Sequence, residues 1–171
     1  SALVALHEQL RPGGNGEEKV MDKRYLALVK GRVLNDRQHV RVPLRKAVGP
    51  NGERVVSPAD RLDPEALSAH TIVNVLERFG GATLVEAQLR TGRTHQIRVH
   101  LAQLGHPILG DERYGDFELN KALAKHGLKR MFLHAAALSL LHPRSGEALN
   151  ISAPLPQECA RYLEQLRGEK T

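Results

Sequence analysis

This chain of 171 residues carries a single cysteine, Cys159. An internal disulfide is therefore impossible, and a reducing, cytoplasmic setting is the natural expectation. Cys159 falls where a last helix is expected, which makes it a small apolar filler rather than a nucleophile. No apolar run approaches the roughly 18 residues that cross a bilayer as a helix, so no membrane partner is expected. No basic-then-apolar leader opens the chain, and the start Ser1-Ala2-Leu3 without methionine reads as a processed or excised piece. Repeats, low-complexity tracts and linkers are missing too, so residues 1–171 read as one unit with a real core. A monomer is the default.

Several chemistries are also missing. His95, His100 and His106 do not have the i, i+4 spacing that puts two imidazoles on one helical face, and no cysteine lies nearby, so no metal is expected. Asp111 with His106 or His134 lacks a serine or cysteine in a nucleophile elbow, which argues against a hydrolase. Gly13-Gly14-Asn15-Gly16 is not followed by Lys-Ser or Lys-Thr and is no phosphate loop. Glu17-Glu18 reads as a solvated pair. No cofactor is expected.

What is present in excess is positive charge: 25 Lys and Arg against 19 Asp and Glu, a net charge of +6. A basic surface suits a polyanion, most commonly nucleic acid, although a merely soluble basic protein has the same balance.

The pattern along the chain predicts local strand pairing with inserted helices. Leu3, Leu6 and Leu10 suggest a short amphipathic helix over residues 1–11, followed by a Gly-rich loop. Strands are expected at Tyr25–Val29, His39–Leu44 (with Pro43 marking an edge or an end), Thr71–Leu76, Ala82–Leu89 and Met131–Leu141, the last turning back into Ala148–Ser152. Asn51-Gly52 is a turn signal, and residues 57–68 read as a surface loop. Helices are expected over Thr94–Leu104, closed by Gly105, over Phe117–His126, and after Pro156. Without regular βαβ alternation, the class is α+β, a mixed, largely antiparallel sheet with flanking helices.

The densest chemistry lies in Arg90-Thr91-Gly92-Arg93-Thr94-His95-Gln96-Ile97-Arg98-Val99-His100, with three arginines and two histidines in eleven residues. Arginine offers a planar donor fork matched to carboxylate or phosphate. With Thr94 as the cap, Arg93 would lie at the mouth of a helix and Arg98 on its second turn. A solvated basic helix face would give the same residues.

The run Arg93 to His100, followed by Leu104-Gly105-His106-Pro107-Ile108-Leu109-Gly110-Asp111 and Arg113-Tyr114-Gly115, resembles the third motif of the RluA-type family of RNA pseudouridine synthases. Lys23-Arg24-Tyr25-Leu26-Ala27-Leu28-Val29-Lys30-Gly31 resembles its second motif, and Phe132-Leu133-His134-Ala135 and Ile151-Ser152-Ala153-Pro154 its closing strands. Leu6-His7-Glu8-Gln9-Leu10 is most similar to a member acting on large-subunit ribosomal RNA. The resemblance implies a portion of one catalytic domain that isomerises uridine to pseudouridine in RNA without metal or cofactor.

Such chemistry needs a carboxylate, a cation to hold it ionised, and a flat apolar surface against a flipped base. The resemblance assigns Arg98 to the cation and Tyr25 to the surface. It places Arg93, His95 and Gln96 at the pocket rim and Lys23 among the cations that hold RNA. The family's aspartate lies in a His-Arg-Leu-Asp motif, expected upstream of the segment matching Ser1 to Leu10 and so outside this chain. The lookalike Asp60-Arg61-Leu62-Asp63 sits between the second and third motifs and lacks the Thr-Ser-Gly that follows in the family, so Asp63 is assigned no role. A non-catalytic RNA-binding module with the synthase fold is the alternative.

Overall fold

Residues 22–169 are described by a computed structural model of the chain; the helix and loop expected ahead of residue 22 lie outside them. Eight strands are found: β1 (Asp22–Lys30), β2 (Arg37–Val40), β3 (Leu44–Val48), β4 (Arg54–Pro58), β5 (Thr71–Arg78), β6 (Ala82–Leu89), β7 (Leu133–Leu141) and β8 (Ala148–Ser152). Three helices are found among the described residues: α1 (Gln96–Gln103), α2 (Phe117–Lys125) and α3 (Gln157–Glu169). Six strands form one sheet in the order β2-β5-β6-β1-β7-β8, every pair antiparallel, and β3 and β4 form a separate hairpin. The α+β class expected from the sequence is the fold observed.

Central β1 explains the layering. Side chains alternate across a strand, and both faces of β1 are covered. Leu28 points to one face, among Leu84, Phe132 and the helical residues Leu123, Cys159, Tyr162 and Leu163. Ala27 and Val29 point to the other, among Val73, Val85 and Ala87 of neighbouring strands and Ile97 and Leu101 of α1. A sheet covered on both sides reads as a continuous apolar run, as Leu26-Ala27-Leu28-Val29 does. Cys159 is fully buried, and burial pushes its thiol up, as suits a filler.

Three local expectations differ from the structure. Thr94 does not start α1. His95 does, with φ of 53° and no capping side chain of its own. The strand expected over His39–Leu44 is split: β2 stops at Val40, residues 41–43 are irregular, and Leu44 opens β3. Pro43 has no amide proton to continue a ladder, and the Val42 carbonyl is used by His100. The loop expected over 57–68 begins as the end of β4.

Other expectations hold. Gly52 turns the β3–β4 hairpin at φ of 78°. Gly105 closes α1 by donating its amide to Ala102 O while His106 donates to Leu101 O, the double closure that a left-handed residue after a helix permits. In the lookalike segment, Asp60 accepts from the Leu62 amide, and Asp63 accepts from the Glu65 amide and from Arg45. Its carboxylates shape turns. Among the described residues β8 is a sheet edge, with Leu149 36% and Ile151 54% exposed.

Gly110 sits between Leu109 and Asp111 at φ of 83°, and a β-carbon there would strike the Arg130 carbonyl. Gly110→Ala therefore combines left-handed strain with a backbone clash, and a loss of about 2–4 kcal/mol is expected. Urea unfolding measures it; a loss well under 1 kcal/mol would refute the account.

Candidate active site

The loop between β6 and α1 is organised around one buried amide. Gln96, 2% exposed, accepts through Oε1 from the Thr91 hydroxyl at 2.6 Å and from the Arg93 amide at 3.0 Å. Its Nε2 donates to the His70 carbonyl at 3.0 Å and to Thr71 Oγ1 at 2.9 Å. Thr71 Oγ1 lies 2.8 Å from His100 Nδ1, and His100 Nε2 lies 2.8 Å from the Val42 carbonyl. A carbonyl can only accept, so His100 Nε2 carries the proton, Nδ1 is the acceptor, and the Thr71 hydroxyl donates to it. Burial lowers the His100 pKa, against the opposing pull of Val42, which keeps the ring neutral.

This network takes the place of an ordinary cap. The Gln96 side chain reaches back to the Arg93 amide, so the chain can enter α1 through a left-handed residue. Gln96 was expected at the pocket rim; it is buried, and both ends of its amide are engaged inside the loop. Arg93 donates Nε to the Ser68 carbonyl at 2.8 Å, which fixes its side chain on the outer side of the loop.

Arg98 meets Asp111. Nε donates to Oδ2 at 2.9 Å and Nη2 to Oδ1 at 2.8 Å, a two-pronged pair. Asp111 is fully buried, and its Oδ1 also accepts from the amides of Arg113 and Tyr114. Burial pushes the Asp111 carboxyl up, but the Arg98 fork and the two amides outweigh it and hold the group below its ordinary range. Tyr114 lies under the fork, 5.0 Å from ring centroid to guanidinium carbon, close enough for a cation–π contact. Its hydroxyl accepts from the Val56 amide at 3.0 Å and lies 2.8 Å from His95 Nδ1. The His95 pKa is lowered, first by burial and then by Arg98, Arg113 and Arg54 nearby.

The guanidinium of Arg98 is thus held along one edge. Among the described residues, Nη1 has no hydrogen-bond acceptor. Asp111 and Tyr114 were not singled out as site residues in the sequence, although both belong to the Gly110-Asp111 and Tyr114-Gly115 parts of the third motif. Their role becomes visible only when the chain between Arg98 and Asp111, thirteen positions apart, is folded.

Tyr25 sits on the sheet face that α1 covers, packed against the cluster containing Ile97 and Leu101. Its cross-strand partners are Ala87 on β6 and Ala135 on β7. Both neighbours are small, and the ring is half-buried between them. The β1–β7 ladder slips between Arg24 and Tyr25 because β7 carries one extra residue, Ala136, so β1 itself keeps its alternation through Tyr25. Lys23 lies opposite Leu89 and Leu138, two residues before Tyr25 on the same face. Tyr25, Lys23 and α1 with Arg98 therefore share one side of the sheet. His95, His100 and His106 do not converge: they bond Tyr114, Val42 with Thr71, and the Lys30 carbonyl respectively.

Residues 2–103 match the RNA pseudouridylate synthase family. The chain belongs to that family. It is 47% identical over 171 residues to ribosomal large subunit pseudouridine synthase C of Salmonella typhi, covering 99% of this chain and 50% of that protein. It is 46% identical to the protein of the same name from Escherichia coli strain K12, covering 99% of this chain and 51% of the other. The chain thus spans about half the length of the curated relatives it matches. Human RNA pseudouridylate synthase domain containing 4 superposes with a TM-score of 0.69 at 26% identity, over 96% of this chain and 66% of that one. Domain containing 1 has the same TM-score at 24% identity, over 98% and 70%, and speaks to the fold alone.

Asp111→Asn removes the acid while leaving Arg98 half-buried, and a loss of about 3 kcal/mol at pH 7 is expected for a broken buried pair. The folded-state pKa of Asp111 lies below its unfolded value, so its contribution is complete above about pH 4 and is lost as the pH falls through the lowered folded-state value. Urea unfolding from pH 7 to pH 3 should show the wild type losing stability more steeply than Asp111→Asn. Parallel pH profiles would mean that folding leaves the Asp111 pKa unshifted.

Proposed function

We propose that this domain serves the isomerisation of uridine to pseudouridine in large-subunit ribosomal RNA, with Tyr25 as the surface for the flipped base and Arg98 as the cation for the reacting carboxylate. The reaction breaks the bond from uracil N1 to ribose C1′, forms one from C5 to C1′, and moves a proton from C5 to N1. The observation that carries the reading is the half-used fork of Arg98. Asp111 fixes its Nε and Nη2 edge, which orients Nη1 and its protons for a second acid without letting the guanidinium turn. The family's His-Arg-Leu-Asp carboxylate, expected outside these residues, would be that acid.

The other roles follow from chemistry on the same face. A tyrosine flanked by alanines offers a flat ring on which an unstacked base can lie, worth about 1–3 kcal/mol in stacking. Arg93 and Lys23 suit backbone phosphate, and their affinity would be salt-dependent. Neutral His95 at the entrance of α1 can accept or donate a hydrogen bond without adding charge. Gln96 acts indirectly by holding the loop that presents Arg93 and His95.

A second reading, an RNA-binding module without turnover, draws on Asp111. Buried and saturated by Arg98 and two amides, it has the environment of a positioning residue rather than a nucleophile. Among the described residues no other carboxylate contacts Arg98.

Tritium at uracil C5 is released when the new bond forms, so its release from labelled large-subunit RNA distinguishes the two. Release by a polypeptide as long as the relatives supports the first reading; RNA binding by that polypeptide without release supports the second. In a polypeptide as long as the relatives, Arg98→Ala should cut release by about 10²-fold or more, as removal of a preorganised charge partner does, with little change in RNA binding. Near-normal release would remove Arg98 from the mechanism.

A further inference from the structure

Next to the candidate site, two histidines face each other at hydrogen-bond distance. His39 Nδ1, on the edge strand β2, lies 2.8 Å from His70 Nε2, just ahead of β5, with ring centroids 5.1 Å apart and tilted by 34°. His39 is exposed and His70 half-buried. The backbone of His70 is tied into the loop before α1: its amide donates to Thr91 Oγ1, and its carbonyl accepts from the amides of Arg90 and Thr91 and from Gln96. The ring of His70 therefore projects outward from the framework that holds Gln96.

The charged groups acting on His70 from the elements around it are all cationic or can become so. They are Arg41 after β2, His39 on β2, Arg90 after β6 and His100 on α1. Among the described residues, no carboxylate pairs with Arg41 or Arg90, and both are exposed. Arg37, also on β2, is turned to Asn74.

We propose that His39, His70, Arg41 and Arg90 form a binding step for one backbone phosphate of RNA beside the uridine pocket, and that the imidazole pair takes up a proton when the phosphate arrives. The inference rests on the reading that this domain binds RNA.

Two nitrogens 2.8 Å apart can hold one proton between them but not two. The bridged pair therefore exists as a neutral dimer or as a dimer with one positive charge. Burial first, and then the surrounding cations led by Arg41, disfavour the charged form and lower the His70 pKa. A phosphate placed among these cations reverses the balance, because its negative charge stabilises the additional proton. Binding and protonation are then linked, and affinity rises as the pH falls. A divalent metal does not fit the same position: no carboxylate is at hand, and two guanidinium groups repel it.

The test is fluorescence anisotropy of a labelled uridine-containing RNA hairpin with the full chain, from pH 5.5 to 8 at fixed salt. His39→Gln/His70→Gln should lose about tenfold in affinity at pH 5.5, the scale of a charged hydrogen bond, and less than about twofold at pH 8. Equal losses at both pH values, or none, overturn the proposal. Carbon-detected imidazole titration of the wild type needs no variant: RNA should raise the apparent pKa of His70. Unshifted titration with RNA bound overturns the proposal while leaving the RNA reading standing. An equal shift with inorganic phosphate alone makes this a free-anion site and overturns the assignment to RNA. Absence of RNA binding at every pH sinks the RNA reading and this inference together.

Discussion

The Arg98–Asp111 pair organises the functional side of the molecule. It joins α1 to the segment that leads into α2, two stretches that no strand pairing connects. Asp111 is buried, so its charge is tolerable only with the fork and two amides around it. Arg98, in turn, is held by two bonds to Asp111 and lies 5.0 Å from the centre of the Tyr114 ring. A guanidinium immobilised along one edge is a preorganised partner for whatever acid meets the other, and such preorganisation is the part of electrostatic catalysis that a protein scaffold supplies.

A second constraint sits one turn away. The Gln96 amide, the Thr71 hydroxyl and the neutral His100 ring form a chain with a single consistent direction of donation, ending on the Val42 carbonyl. No buried side-chain polar atom among the described residues lacks a partner. A fully satisfied buried network specifies one geometry. Here it fixes the left-handed entry through His95 and places the loop carrying Arg93 against the end of β5.

Much of this was legible in the residues. The apolar run of β1, the Asn51-Gly52 turn and the Gly105 stop each carry a local physical signature, and each element formed where that signature lay. Arg98 was legible as a cation awaiting a carboxylate. The start of α1 was not: Thr94 is the better cap by propensity, and nothing local reveals that Gln96 satisfies the Arg93 amide from within the helix. Asp111 and Tyr114 were hidden by separation along the chain, as was the meeting of His39 and His70 across 31 residues. Pairings of that kind are set by the register of β2 on β5 and by the path back from α1.

Among the described residues, the outer margin of β8 pairs with no other strand, and that has a practical corollary. A strand with open amides and carbonyls along one side, and Leu149 and Ile151 on its surface, is a ready template for a further extended chain. At high concentration the molecule would recruit its own copies through that margin, more so at high salt, where the mutual repulsion of a cationic protein fades.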